Sequence, residues 1–201
     1  MHDRLARRLV GRIVVLEPLA PEHEPGLWQA ASVPRIWDYF PVLAASDRRT
    51  FRAWIAEALD AAAAGLAVPF ATVVAATGEP IGSTRFQNIR PEHGVVEIGA
   101  TWLHPGSWRT GANTEAKLLQ LTYAFEELQA RRVEFKTEAT NRRSRAALTA
   151  LGATFEGVAR KHMLVRDGES RESSRFLAVA AAVRSTGGAS SHALRLGQSC
   201  T

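Results

Sequence analysis

Cysteine is almost absent. Cys200 stands alone near the end of the sequence, so no internal disulfide can form and a cysteine-based zinc site has no ligands to build on. The six histidines, His2, His23, His93, His104, His162 and His192, show no metal-ligand spacing, and no metal is expected. Long apolar runs are missing too: none approaches the roughly 20 residues that a bilayer span needs. The richest alanine stretch, 61–64, is bracketed by Asp60 and Gly65. The residues from Met1 to Arg8 are basic, but no apolar stretch follows them as in a secretory signal, so a cytoplasmic protein without membrane attachment is expected. Lysine is scarce: Lys117, Lys136 and Lys161 leave 22 arginines among the 25 basic residues.

What is present fits one ordinary folded domain with room for a tail. Of the 201 residues, 46% are hydrophobic and 22% charged, which argues against disorder and allows a core without covalent staples. The net charge is +5. Arginine forks grip phosphates and carboxylates, so a basic surface suits nucleic acid, a polyphosphate cofactor or an acidic partner alike. Genomic codon bias is the plainer explanation of the shortage of lysine.

Along the chain, residues 12–16 read as a strand and 21–31 as a helix, most securely from Pro25. Trp28, Trp37, Tyr39 and Phe40 crowd the following segment, either lining a pocket or capping the core. Ser46 and Asp47 offer a cap for a helix whose apolar spacing runs to Gly65. Residues 69–76, 81–87 and 95–103 form an antiparallel meander with short turns. A helix over 114–128, a strand over 133–137, and a helix capped by Asn141 and ended at Gly152 follow. Strands over 155–165 and 173–179, turned at Asp167 and Gly168, close an α+β fold. The expected division is an N-terminal extension over 1–9, a domain over 10–180 and a flexible C-terminal tail over 181–201.

Chemistry concentrates in two segments. In residues 104–116 a strand leads through a loop with Gly106 and Gly111 straight into a helix, whose first N–H groups suit a phosphate or pyrophosphate. No Gly-Lys-Ser/Thr follows and no G-x-G-x-x-G is present, so neither a Walker loop nor a dinucleotide fingerprint is at hand. The second segment opens at Asn141, with Ser144, Leu148 and Gly152 at offsets of three, seven and eleven.

Together these pieces resemble the GNAT superfamily of acetyl-CoA-dependent N-acetyltransferases, and within it the ribosomal-protein N-terminal acetyltransferase branch (RimJ/RimL-like). The likeness is carried by Glu97-Ile98-Gly99 with Trp102, by Thr110 to Lys117, by Arg132 to Thr137, by Asn141 to Arg145, and by Leu151-Gly152-Ala153. It implies a mixed, mostly antiparallel sheet that splays into a V at the cofactor groove, flanked by helices. It also implies that the pyrophosphate of coenzyme A sits on the amides of Arg109, Thr110, Gly111, Ala112, Asn113 and Thr114, with Trp108 in the same loop and Arg109 free for a phosphate. The pantetheine would pair along Thr101, Trp102 and Leu103 as an added strand. Asn141 would hydrogen-bond the pantetheine, and Arg142 or Arg143 would meet the adenosine phosphate.

Three positions depart from the family's pattern. Trp108 replaces a usual Gln/Arg, Asn113 replaces a usual Gly/Ala and is expected to cap the helix instead, and Leu148 replaces the tyrosine that often protonates the leaving thiolate. Ser144, one turn earlier, is the available hydroxyl.

The implied reaction is direct acetyl transfer from the thioester to a primary amine through a tetrahedral intermediate. An α-amino group with pKa about 7.7 is roughly one-sixth neutral at pH 7, so a carboxylate that takes its proton helps. Glu97 is expected in that role, its plainer reading being a solvent-facing strand residue, and a backbone N–H near Leu103 is expected to hold the oxyanion. Trp37, Tyr39, Arg85 and Gln87 are candidates for the acceptor pocket. The acceptor is a protein N-terminus or a small-molecule amine, and homodimers are common in this branch. Two other readings stand beside this one. A non-catalytic acyl-CoA-binding module of the same fold is motivated by Trp108, Asn113 and Leu148. RNA binding rests only on the arginine excess, with no aromatic-rich motif beside it, and nucleic acid is not an expected partner.

Overall fold

The structure, a computed structural model, describes residues 6–165 and 168–179. Its strands are β1 (Leu9–Val10), β2 (Val14–Pro18), β3 (Ala67–Val74), β4 (Pro80–Arg90), β5 (Val95–Leu103), β6 (Arg132–Glu138), β7 (Thr154–Leu164) and β8 (Ser170–Ala178). They form one sheet in the order β1-β2-β3-β4-β5-β6-β8-β7, antiparallel throughout except for the parallel pair β5–β6. Four α-helices flank it: α1 (Glu24–Ala31), α2 (Arg48–Ala63), α3 (Ala112–Thr122) and α4 (Arg142–Ala150).

The sequence periods account for most of these elements. β6 alternates, with Val133, Phe135 and Thr137 buried and Glu134 and Lys136 on the opposite face. Asp47 caps α2 by accepting the Thr50 N–H at 2.9 Å, and Asn141 caps α4 by accepting that of Ser144 at 3.0 Å. Two expectations need correction. The first strand starts at Val14, because Gly11 donates to the Val14 carbonyl (2.9 Å) and folds the preceding residues back as β1. The third helix begins at Ala112 and passes into a π turn, Tyr123–Glu127; its N-cap is Gly111 at φ +89°, not Asn113. The expected C-terminal tail over 181–201, with Cys200, lies outside the described residues, as do residues 1–5 and Asp167.

Each face of the sheet carries its own core. On one, Val96, Ile98, Val133 and Phe135 pack against Ala112, Ala116 and Leu119 of α3 and Leu148 of α4. On the other, Val15, Ala71, Val73 and Trp102 pack against Leu27 of α1 and Phe51, Ile55 and Ala58 of α2.

β5 is irregular on both edges. Against β4, Ser83 pairs with Trp102 and Arg85 with Gly99, so β5 carries one extra residue there, with Ala100 at φ +46°. The extra residue reverses the alternation, so Trp102 joins the α1/α2 core while Thr101 meets Lys117 of α3. Gly82 permits this approach, because a Cβ there would collide with the Trp102 carbonyl. Against β6 the pairing lasts only from Val95 to Glu97, opposite Arg132 to Glu134. Beyond it β5 stays with β4 and β6 with β8, and the sheet opens as a V. Among the described residues no helix is long and apolar enough to cross a membrane.

Candidate functional site

The loop that leaves β5 is built to present backbone amides. A short turn over Pro105–Ser107 is held by the Gly106 N–H on His104 Nδ1 (3.1 Å), and the Thr110 hydroxyl donates to the Ser107 carbonyl (2.8 Å). Arg109 at φ +64° and Gly111 at φ +89° then swing the chain into α3. Of the amides from Arg109 to Thr114, only that of Ala112 meets a protein acceptor, the Thr110 hydroxyl at 3.4 Å; the others make no hydrogen bond among the described residues. They lie at the positive end of the helix dipole, a natural seat for an anion. The exposed Arg109 adds a full charge.

The start of α4 supplies the second segment. Asn141 is buried and spends Oδ1 on the cap, while its Nδ2 makes no hydrogen bond among the described residues. The half-buried Ser144 hydroxyl is likewise unengaged, one turn before the buried Leu148. Arg143 lies 3.7 Å above the Trp108 ring centre and Arg35 4.8 Å from it, so the indole sits against two guanidinium groups. The Trp108 N–H donates to the Leu103 carbonyl (2.9 Å), filling an acceptor at the end of β5. The Trp102 side chain is core, which leaves its backbone as the part available to a ligand in the V.

On the α1/α2 face, Glu97 occupies the corner of the V. It points away from Val96 and Ile98 and is only 3% exposed. Its carboxylate takes three donors: Gln87 Nε2 on Oε1 (2.8 Å), and Asn88 Nδ2 (2.7 Å) and Lys136 Nζ (2.8 Å) on Oε2. A carboxylate offers about four lone-pair sites, so one on Oε1 remains. Gly99 keeps that side open: a Cβ there would collide with the Gln87 amide and stand 3.2 Å from Oε1.

The expected acceptor residues divide. Arg85 and Gln87 share the Glu97 face. Trp37, at 2% exposure, is a core residue whose indole N–H donates to the Ala31 carbonyl (2.9 Å) and whose ring meets Phe40, Trp54 and Trp102. Tyr39 is exposed, and its carbonyl accepts from Arg171 Nη1 (3.2 Å), tying this loop to β8. His162 of β7 completes the surroundings, with Nδ1 3.0 Å from the Ser173 hydroxyl. Burial pushes its pKa down, aided by the charges of Lys136, Arg175 and Arg171 and opposed by Glu97.

Sequence reasoning missed three groups. Lys136 and Asn88 hold Glu97, one from across the V and one from a left-handed position at φ +47°. Lys117 is fully enclosed on the opposite face, donating to Thr101 (2.5 Å), Thr84 (3.0 Å) and Gln120 (3.3 Å), and burial pushes its pKa down to about 7. The available signal was the i, i+3 spacing of Lys117 and Gln120 beside Leu121, which places two polar groups on the sheet side of α3. A shallow apolar hollow between Ile89 and Leu128 lies at the closed end of β5 and contains none of these groups. Among the described residues no cluster of His, Cys, Asp and Glu could hold a metal ion.

Comparison with known proteins bears on the family and the fold. The family described as an acetyltransferase (GNAT) domain matches residues 14–154. An uncharacterised N-acetyltransferase, p20, of Bacillus licheniformis is 30% identical over 149 residues, 74% of this chain and 83% of the relative. Among solved structures, a GCN5-related N-acetyltransferase from Brucella melitensis superposes with TM-score 0.84 at 30% identity, covering 92% of this chain and 83% of that one. RimJ of Mycobacterium smegmatis, in complex with CoA-disulfide, shares the fold at 21% identity and TM-score 0.75, over 91% of each chain.

Proposed function

The chain belongs to the GNAT acetyltransferase family, and on that premise we propose that it moves an acetyl group from acetyl-CoA directly to a primary amine, through a tetrahedral intermediate. The acceptor class is a protein N-terminus or a small-molecule amine. The observation that carries this reading is Glu97: a buried carboxylate at the corner of the V, anchored by three donors, with one lone-pair site of Oε1 left beside Gly99.

The residues present fit coenzyme A. Unpartnered amides at the start of α3 suit its pyrophosphate, Arg109 a phosphate, and Asn141 Nδ2 a pantetheine carbonyl, while the edge of β5 beyond Glu97 offers backbone groups for an added strand. When bound, acetyl-CoA supplies an activated acetyl group as a thioester. Glu97 takes the proton that the acceptor amine must lose, directly or through water. Lys136 holds that carboxylate in place, and Gln87 and Asn88 fix its plane. Ser144 is the hydroxyl we assign to the proton returned to the leaving thiolate.

Release of free thiol from acetyl-CoA in the presence of an amine panel tests the activity, and sustained turnover eliminates a binding-only module. Replacing Glu97→Gln should lower kcat by about 100-fold or more while acetyl-CoA affinity stays near the native value. An unaltered kcat would remove Glu97 from the proton path.

A further inference from the structure

Arg85 carries a charge that its surroundings leave unanswered. It lies on the same face of β4 as Gln87, two residues along, and Gln87 holds Glu97. Its guanidinium lies 5.3 Å from the centre of the Trp54 ring and is half-buried. Among the described residues it makes no hydrogen bond and has no carboxylate within ion-pair distance; Glu57 acts on it only from further away. Among the described residues the half-buried Lys136, Arg171 and Arg132 of this face are paired, Lys136 with Glu97 at 2.8 Å, Arg171 with Glu138 at 3.3 Å and Arg132 with Glu134 at 2.8 Å. Desolvating a guanidinium without an acceptor is costly, and its planar fork matches a carboxylate or phosphate. Arg143 and Arg35 bring two more guanidinium groups to the neighbouring Trp108, against its ring.

We infer that the acceptor amine brings its own oxyanion, which Arg85 binds while the amino group lies against Glu97. This inference rests on the acetyl-transfer reading above and narrows it to amines bearing a nearby carboxylate or phosphate. Such a site disfavours polyamines and aminoglycosides, whose several cations meet Arg85, Arg143 and Lys136. Its positive field also favours the neutral form of the bound amine, the form that attacks.

The test compares matched acceptors in the thiol-release assay, each with its α- or C-terminal carboxyl group amidated so that the neutral member carries no carboxylate: aspartyl-alanine against asparaginyl-alanine, O-phosphoserine against serine, and spermidine alone. At least one anionic member should exceed its neutral counterpart by about tenfold in kcat/KM, mainly through KM. The better pair identifies the oxyanion. In Arg85→Met, which keeps an apolar stem beside Trp54, that ratio should fall to near one. Ratios near one in the native protein, a preference for spermidine, or an unchanged ratio in Arg85→Met would overturn the inference. If no acceptor turns over, the catalytic reading fails by itself, and calorimetric titration of the two dipeptides onto the protein with coenzyme A decides this one. Tighter binding of aspartyl-alanine that Arg85→Met abolishes supports it, and equal binding overturns it.

Discussion

Lys117 shows what one enclosed amine does to the stability of a whole fold. It has oxygen partners in Thr84, Thr101 and Gln120 but no carboxylate among the described residues, and burial holds its pKa near 7. In the unfolded chain a lysine titrates near 10.4. Between those two values the unfolded state binds more protons than the folded one, so stability should rise with pH from about 7 to about 10. Below pH 7 both states are charged and the folded state bears the full cost. In Lys117→Met the rise should flatten, and at pH 7 the variant should be more stable by on the order of 1 kcal/mol or more, because the Thr84 hydroxyl keeps Thr101 and Gln120 as partners. Urea midpoints of both proteins at pH 7 and 9.5 measure this. Equal pH slopes would show that Lys117 is charged in the folded protein.

Between elements, the most consequential link is Glu115. Its carboxylate, in the first turn of α3, accepts the N–H groups of Arg12 (2.9 Å), Ile13 (2.7 Å) and Val14 (2.8 Å), fastening the β1–β2 turn beneath the loop that presents the anion-binding amides. Glu115→Ala orphans three donors, one of them on the buried Val14, and should cost about 2–4 kcal/mol in urea unfolding, with Glu115→Gln recovering part of it. A loss under 0.5 kcal/mol would mean that water replaces the carboxylate.

Contacts of this kind separate what could be read from sequence from what could not. The caps at Asp47 and Asn141, the alternation of β6 and the meander from β3 to β5 are local and were legible, as was the loop from Arg109 to Thr114. Glu115 was visible only as part of a motif, since its partners lie about a hundred residues away. Asn113 resembled a cap by residue type, but the backbone enters the helix at Gly111, where φ +89° suits glycine. Trp37 resembled a pocket wall because aromatic density does not reveal which ring is covered. The three donors on Glu97 come from two strands on opposite sides of β5, an arrangement that exists only once the sheet has formed.

At the scale of the molecule, the sheet consists of two arms, β1 to β5 and β6-β8-β7, whose pairing at the seam is limited to three residue pairs and reinforced by the Glu97–Lys136 ion pair. A ligand that pairs with β5 and lies on the starts of α3 and α4 would bridge both arms. Binding to the folded state alone stabilises it by about 2.7 kcal/mol at 100 times Kd. For a domain of this size each kcal/mol moves Tm by roughly 2–4 °C. Acetyl-CoA at that excess should therefore raise Tm by about 5–10 °C, and the shift should grow with the logarithm of its concentration. Reversing one charge in the amide loop, Arg109→Glu, should move the whole titration to higher concentration without lowering the ligand-free Tm by more than about 1 °C, because Arg109 is exposed and makes no ion pair among the described residues. An unchanged titration in Arg109→Glu would remove Arg109 from the phosphate site. No shift in the native protein at saturating acetyl-CoA would remove the ligand from the V altogether.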